Sequence, residues 1–282
     1  MINGQKVVVV LPAYNAASTL PITYQEIDRT LVDDIILVDD ASKDNTVAVA
    51  QNIGIHYIIR HEKNKGYGGN QKTCYAKAIE LGADIIIMLH PDYQYTPALI
   101  GAMASIIAGG VYPVVLGSRI LGMGAIKGGM PLYKYFFNRL LTVVQNILMR
   151  QKLSEYHTGY RAYHKDVLLS IPFDRNSDDF IFDNELLAQI FCRGYEVAEV
   201  TCPTKYFKEA SSINVSRSIT YGLGVIRVSA IYCLHKIGII QSRLLKDIPP
   251  LEKWKLAKQT PDIVKQDLAS NDPSASEVIR IS

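Results

Sequence analysis

The sequence predicts an α/β fold whose parallel sheet is covered on both faces, and three observations predict it. Apolar, β-rich runs recur at Val7–Leu11, Ile35–Val38, His56–Arg60 and Ile85–Leu89, and a fifth follows at Val114–Gly117. Helical patterns lie between successive runs, which makes a βαβ series. The runs are continuous rather than alternating, as expected of strands buried on both sides with no polar face to show. Ligands of such sheets gather beyond the carboxyl ends of the strands, so the residues just after each run are the candidates for a site.

The chain has 282 residues, 48% of them hydrophobic, enough for a substantial core. Its 30 basic and 27 acidic residues give a net charge of +3, too even a balance for nucleic-acid binding. Cys74, Cys192, Cys202 and Cys233 form no C-x-x-C pair and lie mostly in apolar runs, which reads as buried reduced thiols. The chain enters its first strand almost at once, with no basic segment and cleavage site before it, so a cytoplasmic protein is expected. Without export, the acceptor triplet Asn214-Val215-Ser216 has no consequence.

The first run ends in Pro12-Ala13-Tyr14-Asn15, where proline removes a ladder donor and the chain turns out to the ligand edge with a tyrosine able to face a nucleotide. The second ends in Val38-Asp39-Asp40-Ala41-Ser42-Lys43-Asp44-Asn45-Thr46. Asp39 is assigned to a base or ribose, and Asp44 and Asn45 to capping the next helix. After the third, Asn64 to Lys72 carries Gly66, Gly68 and Gly69 and reads as a phosphate-cradling loop, with Lys72 among the donor-binding residues. Its spacing is not G-x-G-x-x-G, and the first βα turn holds Tyr14 and Asn15 instead of glycines, which counts against a nicotinamide-dependent enzyme.

The fourth run leads into His90-Pro91-Asp92-Tyr93-Gln94. His90, Asp92 and Gln94 at alternate positions can aim at one divalent ion, and their mixed N/O set suits manganese better than calcium. The alternative is a structural His90–Asp92 pair. The fifth run ends in Gly117-Ser118-Arg119, where an arginine can grip diphosphate oxygens bidentately.

A glycine-rich stretch reaches Gly129, and apolar residues from Tyr133 to Met149 then recur at helical spacing, with Lys134, Arg139 and Arg150 among them. Packing on the sheet is the expected use of that helix, and lying on a membrane surface the alternative. A second apolar segment, Ile219 to Ile240, contains Arg227, His235 and Lys236, charges that argue against a clean span. Between the two lie His157-Thr158-Gly159-Tyr160-Arg161 and a helix opening at Phe182-Asp183-Asn184-Glu185, whose dipole accounts for one of its two acids. Lys205, Lys208 and Arg217 bracket a Ser-rich loop over 210–214 that can act as a flap or as plain solvated surface. From Pro249 the periodicity fades into a tail with one short helix around Trp254. The expected division is an α/β half over 1–120, a half with amphipathic helices over 121–245 and a weakly ordered tail over 246–282.

Taken in order, Pro12-Ala13-Tyr14-Asn15, Val38 to Thr46, Gly66 to Gly69, Gly117-Ser118-Arg119, Thr158-Gly159-Tyr160-Arg161 and Phe182-Asp183-Asn184-Glu185 resemble the family 2 glycosyltransferases of GT-A fold. The nearest branch is that of the dolichyl-phosphate mannose and glucose synthases. The resemblance runs from about Val7 to Arg217 and implies a Rossmann-like nucleotide-sugar-binding sheet flanked by helices, with 1–120 the nucleotide-sugar-binding half and 121–245 the acceptor half. It implies that Pro12, Ala13, Tyr14 and Asp39 hold base and ribose, Asp92 and Gln94 a divalent cation (Mn2+ or Mg2+), and Arg119 and Arg161 the phosphates. It further implies inverting transfer from a nucleotide-diphosphate sugar to a polyprenyl phosphate, at the cytoplasmic face of a membrane. That acceptor oxygen is already anionic, whereas a saccharide hydroxyl would need Asp183 or Glu185 as base. Two departures stand out: His90 replaces the first acid of the family's Asp-x-Asp, and Ala16 replaces its glutamate after Pro-x-Tyr-Asn. The first motivates the other reading, a catalytically silent nucleotide-sugar-binding protein.

Overall fold

A computed structural model describes residues 1–205, 215–251 and 254, without the side chains of 215–217, and every statement below concerns these residues. Seven strands form one sheet: β1 (Val7–Ala13), β2 (Asp34–Asp39), β3 (Tyr57–Arg60), β4 (Ile85–Met88), β5 (Val114–Ser118), β6 (Arg161–His164) and β7 (Val197–Thr201), in the order β3-β2-β1-β4-β6-β5-β7. The helices are α1 (Leu20–Gln25), α2 (Thr46–Asn52), α3 (Gly66–Glu80), α4 (Ile100–Ala108), α5 (Gly124–Lys127), α6 (Leu132–Met149), α7 (Lys165–Leu169), α8 (Phe182–Arg193) and α9 (Val215–Lys236).

The continuous apolar runs do what their pattern predicts. Val7, Val9 and Leu11 enter the core on one face of the sheet, while Val8 and Val10 enter the core on the other. Each such fully buried side chain contributes about 1.5–3 kcal/mol. The all-parallel expectation needs correction at one strand. β6 is antiparallel to both neighbours, β4 and β5, so the sheet is mixed. Its four residues, Arg161-Ala162-Tyr163-His164, lack an apolar run yet are buried throughout. β7 pairs in parallel with β5 at the edge.

α6 departs from its expected use. It turns Asn138, Thr142, Gln145 and Met149 inward and leaves Leu132, Tyr133, Phe136, Phe137, Leu140, Val143 and Ile147 exposed. The polar residues are inside because each has a partner there: Asn138 donates to Glu155 at 2.9 Å, Thr142 to Asn138 at 3.4 Å, and Gln145 to Asn184 at 2.9 Å. α9 packs against α6 and adds Ile219, Leu223 and Ile226 to the exposed apolar surface. Among the described residues no helix is long and apolar enough to cross a membrane. Loop 206–214 and most of the tail lie outside the described residues, but Trp254 packs its ring edge-on to His164 at 5.7 Å.

Candidate active site

Beyond the carboxyl ends of β1, β2, β4 and β5 lies a cleft of about 950 Å3. It gathers Pro12, Ala13, Tyr14, His90, Asp92, Gln94, Arg119 and Asp183 of the residues expected from the sequence. Asp39, Lys72, Arg161 and Glu185 do not line it, each for a separate physical reason.

At β1 the chain leaves the sheet through Asn15, which takes a positive φ of 52°. The turn is tied to the β2 loop: Asn15 N donates to Ser42 Oγ at 2.8 Å, and Lys43 N donates to Asn15 Oδ1 at 2.8 Å. Asp44 also braces it, accepting from the backbone amides of Ala17 and Thr46 at 3.0 Å each. Tyr14 is left 49% exposed on the cleft wall. Past β2 the acid that lines the cleft is Asp40, its carboxylate held by His61 Nδ1 at 2.7 Å and by the amides of Lys65 and Gly66. Asp39 is wholly buried and accepts from Ser42 N at 3.1 Å.

The glycine loop is a seat for protein, not for phosphate. Gly68 N and Gly69 N donate to the Asp178 carbonyl at 2.7 and 3.2 Å, while Lys65 N and Gly66 N donate to Asp40 at 2.8 and 3.0 Å. The α3 amides a phosphate would need are therefore taken. Lys72 is engaged by the same segment, donating to the Asn176 carbonyl and to Asp178 Oδ1 at 2.7 Å. A Cβ on Gly68 would stand 2.7 Å from Phe182 Cβ and would also overlap the Ser177 carbonyl. Gly68→Ala is expected to lift segment 177–182 off α3 and destabilise the protein by about 1–3 kcal/mol, read as a lower urea midpoint.

Past β4, Asp92 Oδ1 accepts from Gln94 N at 3.1 Å, which fixes the turn carrying the expected cation ligands. His90 stacks on Tyr67, centroids 5.3 Å apart. Tyr67 Oη lies 3.2 Å from His90 Nε2 and donates to Asp183 Oδ2 at 2.7 Å. Burial lowers the His90 pKa against the pull of Asp92 and Asp183, so the imidazole is neutral. Burial, then Asp183, raises the Tyr67 phenol well above its ordinary value, so Tyr67 keeps its proton. Asp183 also accepts from Gln71 Nε2 at 3.3 Å.

Both arginines are committed to protein. Arg119 lines the cleft, but its Nε donates to Glu155 Oε1 at 2.9 Å and its Nη2 to Glu155 and the His157 carbonyl. Burial pushes the Glu155 carboxyl up, and Arg119 outweighs that, leaving it below the usual range. Arg161 is fully buried, its guanidinium donating to the carbonyls of Thr158, Asp183 and Tyr156 at 2.8, 3.1 and 2.9 Å. Glu185 accepts from Ser177 N at 2.6 Å and so braces the loop before α8. Asp183 is the acid of that helix that faces the cleft. Among the described lining residues the charged groups are thus four aspartates, Asp40, Asp92, Asp179 and Asp183, and one arginine already neutralised by Glu155.

His157 and Tyr221 also line the cleft. Tyr221 Oη accepts from Asn184 Nδ2 at 2.8 Å and lies 2.9 Å from His157 Nδ1. Burial lowers the His157 pKa to about 4. An unfolded histidine titrates near 6.5, so as pH falls the unfolded chain takes the proton first. Stability from this group is intact above about pH 6.5 and falls by roughly 3 kcal/mol on approaching pH 4. Urea midpoints measured between pH 7 and 4 are expected to flatten in His157→Gln.

The family profile described as glycosyl transferase family 2 matches residues 8–171, which carry strands β1 to β6 and most of this cleft. The chain belongs to glycosyl transferase family 2. This family 2 glycosyltransferase is 31% identical over 175 residues to the UDP-N-acetylglucosamine–dolichyl-phosphate N-acetylglucosaminyltransferase of Methanococcus voltae, covering 56% of this chain and 69% of that one. It is 25% identical over 202 residues to the undecaprenyl-phosphate mannosyltransferase of Micrococcus luteus, covering 69% and 82%. Its fold matches that of the glucosyl-3-phosphoglycerate synthase of Mycobacterium tuberculosis, solved with Mn2+, UDP and phosphoglyceric acid, at a TM-score of 0.64 and 19% identity, covering 85% and 81%. The fold is therefore GT-A. Among the cleft residues of this glycosyltransferase that sequence reading did not single out are Asp40, Tyr67, His157, Asp179 and Tyr221. Asp40 and His157 stood beside residues that were, whereas Tyr221 is hidden in an apolar helix that its packing on α6 and α8 brings in.

Proposed function

We propose that this glycosyltransferase transfers a sugar, with inversion, from a nucleoside-diphosphate donor to a polyprenyl-type lipid phosphate while resting on a membrane surface. The observation that carries the reading is the outward apolar face of α6 and α9. Neither helix contains an Asp or Glu, while Lys134, Arg139, Arg227 and Lys236 stand on them. A large apolar surface rimmed by basic groups suits an anionic bilayer. Two relatives are named for dolichyl-phosphate and undecaprenyl-phosphate acceptors, which supports the same acceptor class here.

The charge of the cleft bears on how the donor is held. Of the four carboxylates Asp183 is paired with Arg161, as Arg119 is with Glu155, so the lining stays net negative and repels a diphosphate unless a cation accompanies it. Among the described residues no three His, Cys, Asp or Glu side chains gather to cage an ion. Asp92, His90 and Gln94 fit instead an ion that arrives with the diphosphate and keeps phosphate oxygens among its ligands. When bound, a divalent cation offsets the charge growing on the departing diphosphate. Tyr14 stacks at the base end, and Asp183, held by Tyr67 and Gln71, shapes the pocket around the sugar. The acceptor phosphate oxygen needs no base.

The test offers UDP-N-acetylglucosamine, UDP-glucose and GDP-mannose, labelled in the sugar, with undecaprenyl or dolichyl phosphate in vesicles. Label entering the organic phase supports the reading, and label reaching only water-soluble acceptors sinks it. The companion expectation is that Phe136→Glu with Ile147→Glu loses pelleting with anionic vesicles at least about tenfold, since each burial is worth about 1.5–3 kcal/mol, while nucleoside-diphosphate binding persists.

A further inference from the structure

We propose that His90 is a cation ligand through Nδ1, that Tyr67 fixes the tautomer this requires, and that the site consequently favours transition ions over magnesium. The proposal rests on the reading that the donor is held together with a divalent cation. It begins with a proton count. Tyr67 has one hydroxyl proton and two neighbours for it, His90 Nε2 at 3.2 Å and Asp183 Oδ2 at 2.7 Å. The shorter, charge-assisted bond to the carboxylate takes the proton. The Tyr67 oxygen is then the acceptor for His90, whose proton must sit on Nε2. A neutral imidazole protonated at Nε2 carries its lone pair at Nδ1.

Nδ1 is where a ligand atom would be wanted. The only hydrogen bond of the His90 ring among the described residues is the one to Tyr67, and Nδ1 is absent from the buried, unpartnered atoms, so it opens to the cleft. Gly159 closes the opposite edge: a Cβ there would stand 2.6 Å from His90 Nε2 and 3.2 Å from Tyr67 Oη. The ring is thus held by a stacked tyrosine, a hydrogen bond at Nε2 and a backbone that approaches as only glycine allows. Such outer partners orient a metal-binding histidine and raise its basicity. An imidazole in place of a carboxylate removes one negative charge and adds a softer nitrogen. Both changes disfavour magnesium, which prefers oxygen, relative to manganese and cobalt.

Whichever of UDP, GDP, CDP and dTDP binds best serves as the probe, titrated with Mg2+, Mn2+ and Co2+ into wild type, His90→Asp and Tyr67→Phe. Electron-spin-echo spectra of the Mn2+ complex, recorded with 15N-labelled histidine, report direct nitrogen coordination. In wild type, Mn2+ and Co2+ are expected to half-saturate at concentrations about tenfold or more below Mg2+. His90→Asp should narrow that gap and abolish the nitrogen coupling. Tyr67→Phe should weaken Mn2+ binding about tenfold while the Mg2+ affinity of His90→Asp is matched by His90→Asp combined with Tyr67→Phe, because a carboxylate needs no tautomer. A Mn2+ complex without histidine coupling, or an ion preference unchanged in His90→Asp, overturns the proposal while leaving cation-assisted donor binding intact. Equal diphosphate binding with cation and with chelator overturns both.

Discussion

Asp92→Ala is expected to reduce cation-dependent nucleoside-diphosphate binding by roughly 100-fold, the scale of losing one partner of a desolvated charge pair. The size follows from how little else in the cleft is positive. Arg119 is ion-paired to Glu155, and Lys72 is drawn to Asp178, so on the proposed reading the diphosphate depends on an ion that Asp92 would help to hold. The fold should barely notice, because Asp92 accepts one backbone hydrogen bond in a turn, worth about 1 kcal/mol. Calorimetry with manganese and with chelator, beside a urea titration, separates the two effects. Unchanged affinity in the variant would transfer the diphosphate to groups outside the cleft described above.

Arg161→Met should do the reverse, costing about 3–5 kcal/mol of stability because it strands Asp183 and three carbonyls in the interior. Burial alone would lower the Arg161 pKa, but Asp183 together with Tyr163 and Tyr67 outweighs it, so the guanidinium stays charged at any working pH. A large drop in the urea midpoint therefore marks Arg161 as the strut that joins the start of β6 to α8. A variant that folds as wild type but loses diphosphate affinity would restore the phosphate-binding role that the family resemblance implies.

Much of the fold was legible because burial on both faces leaves a pattern. Val7–Leu11 and Ile85–Leu89 can hardly be anything but central strands. β6 was not legible, since Arg161 and His164 are buried through specific partners, and hydropathy does not register partners. The same blindness explains the site. Strand ends brought Pro12, Asp92 and Arg119 to the cleft as expected, because topology alone puts them there. The glycines and Lys72 looked like a phosphate loop, yet the carbonyl and carboxylate of Asp178, over a hundred residues away in sequence, fill that seat. α6 showed helical spacing, but spacing cannot say whether the apolar stripe faces in or out. That depended on Glu155 and Asn184 waiting inside for Asn138 and Gln145.

The place of β6 bears on how this chain is made. During synthesis β1 to β5 leave the ribosome well before β6, yet β4 and β5 do not pair with each other: each waits for the strand that separates them. Until then β4 and β5 present open strand edges, the kind that recruit other chains. Only when residues 161–164 arrive does the gap close, and the same four residues bring Arg161 to α8. Commitment to the native sheet and assembly of this side of the cleft are thus one late event in the life of each molecule.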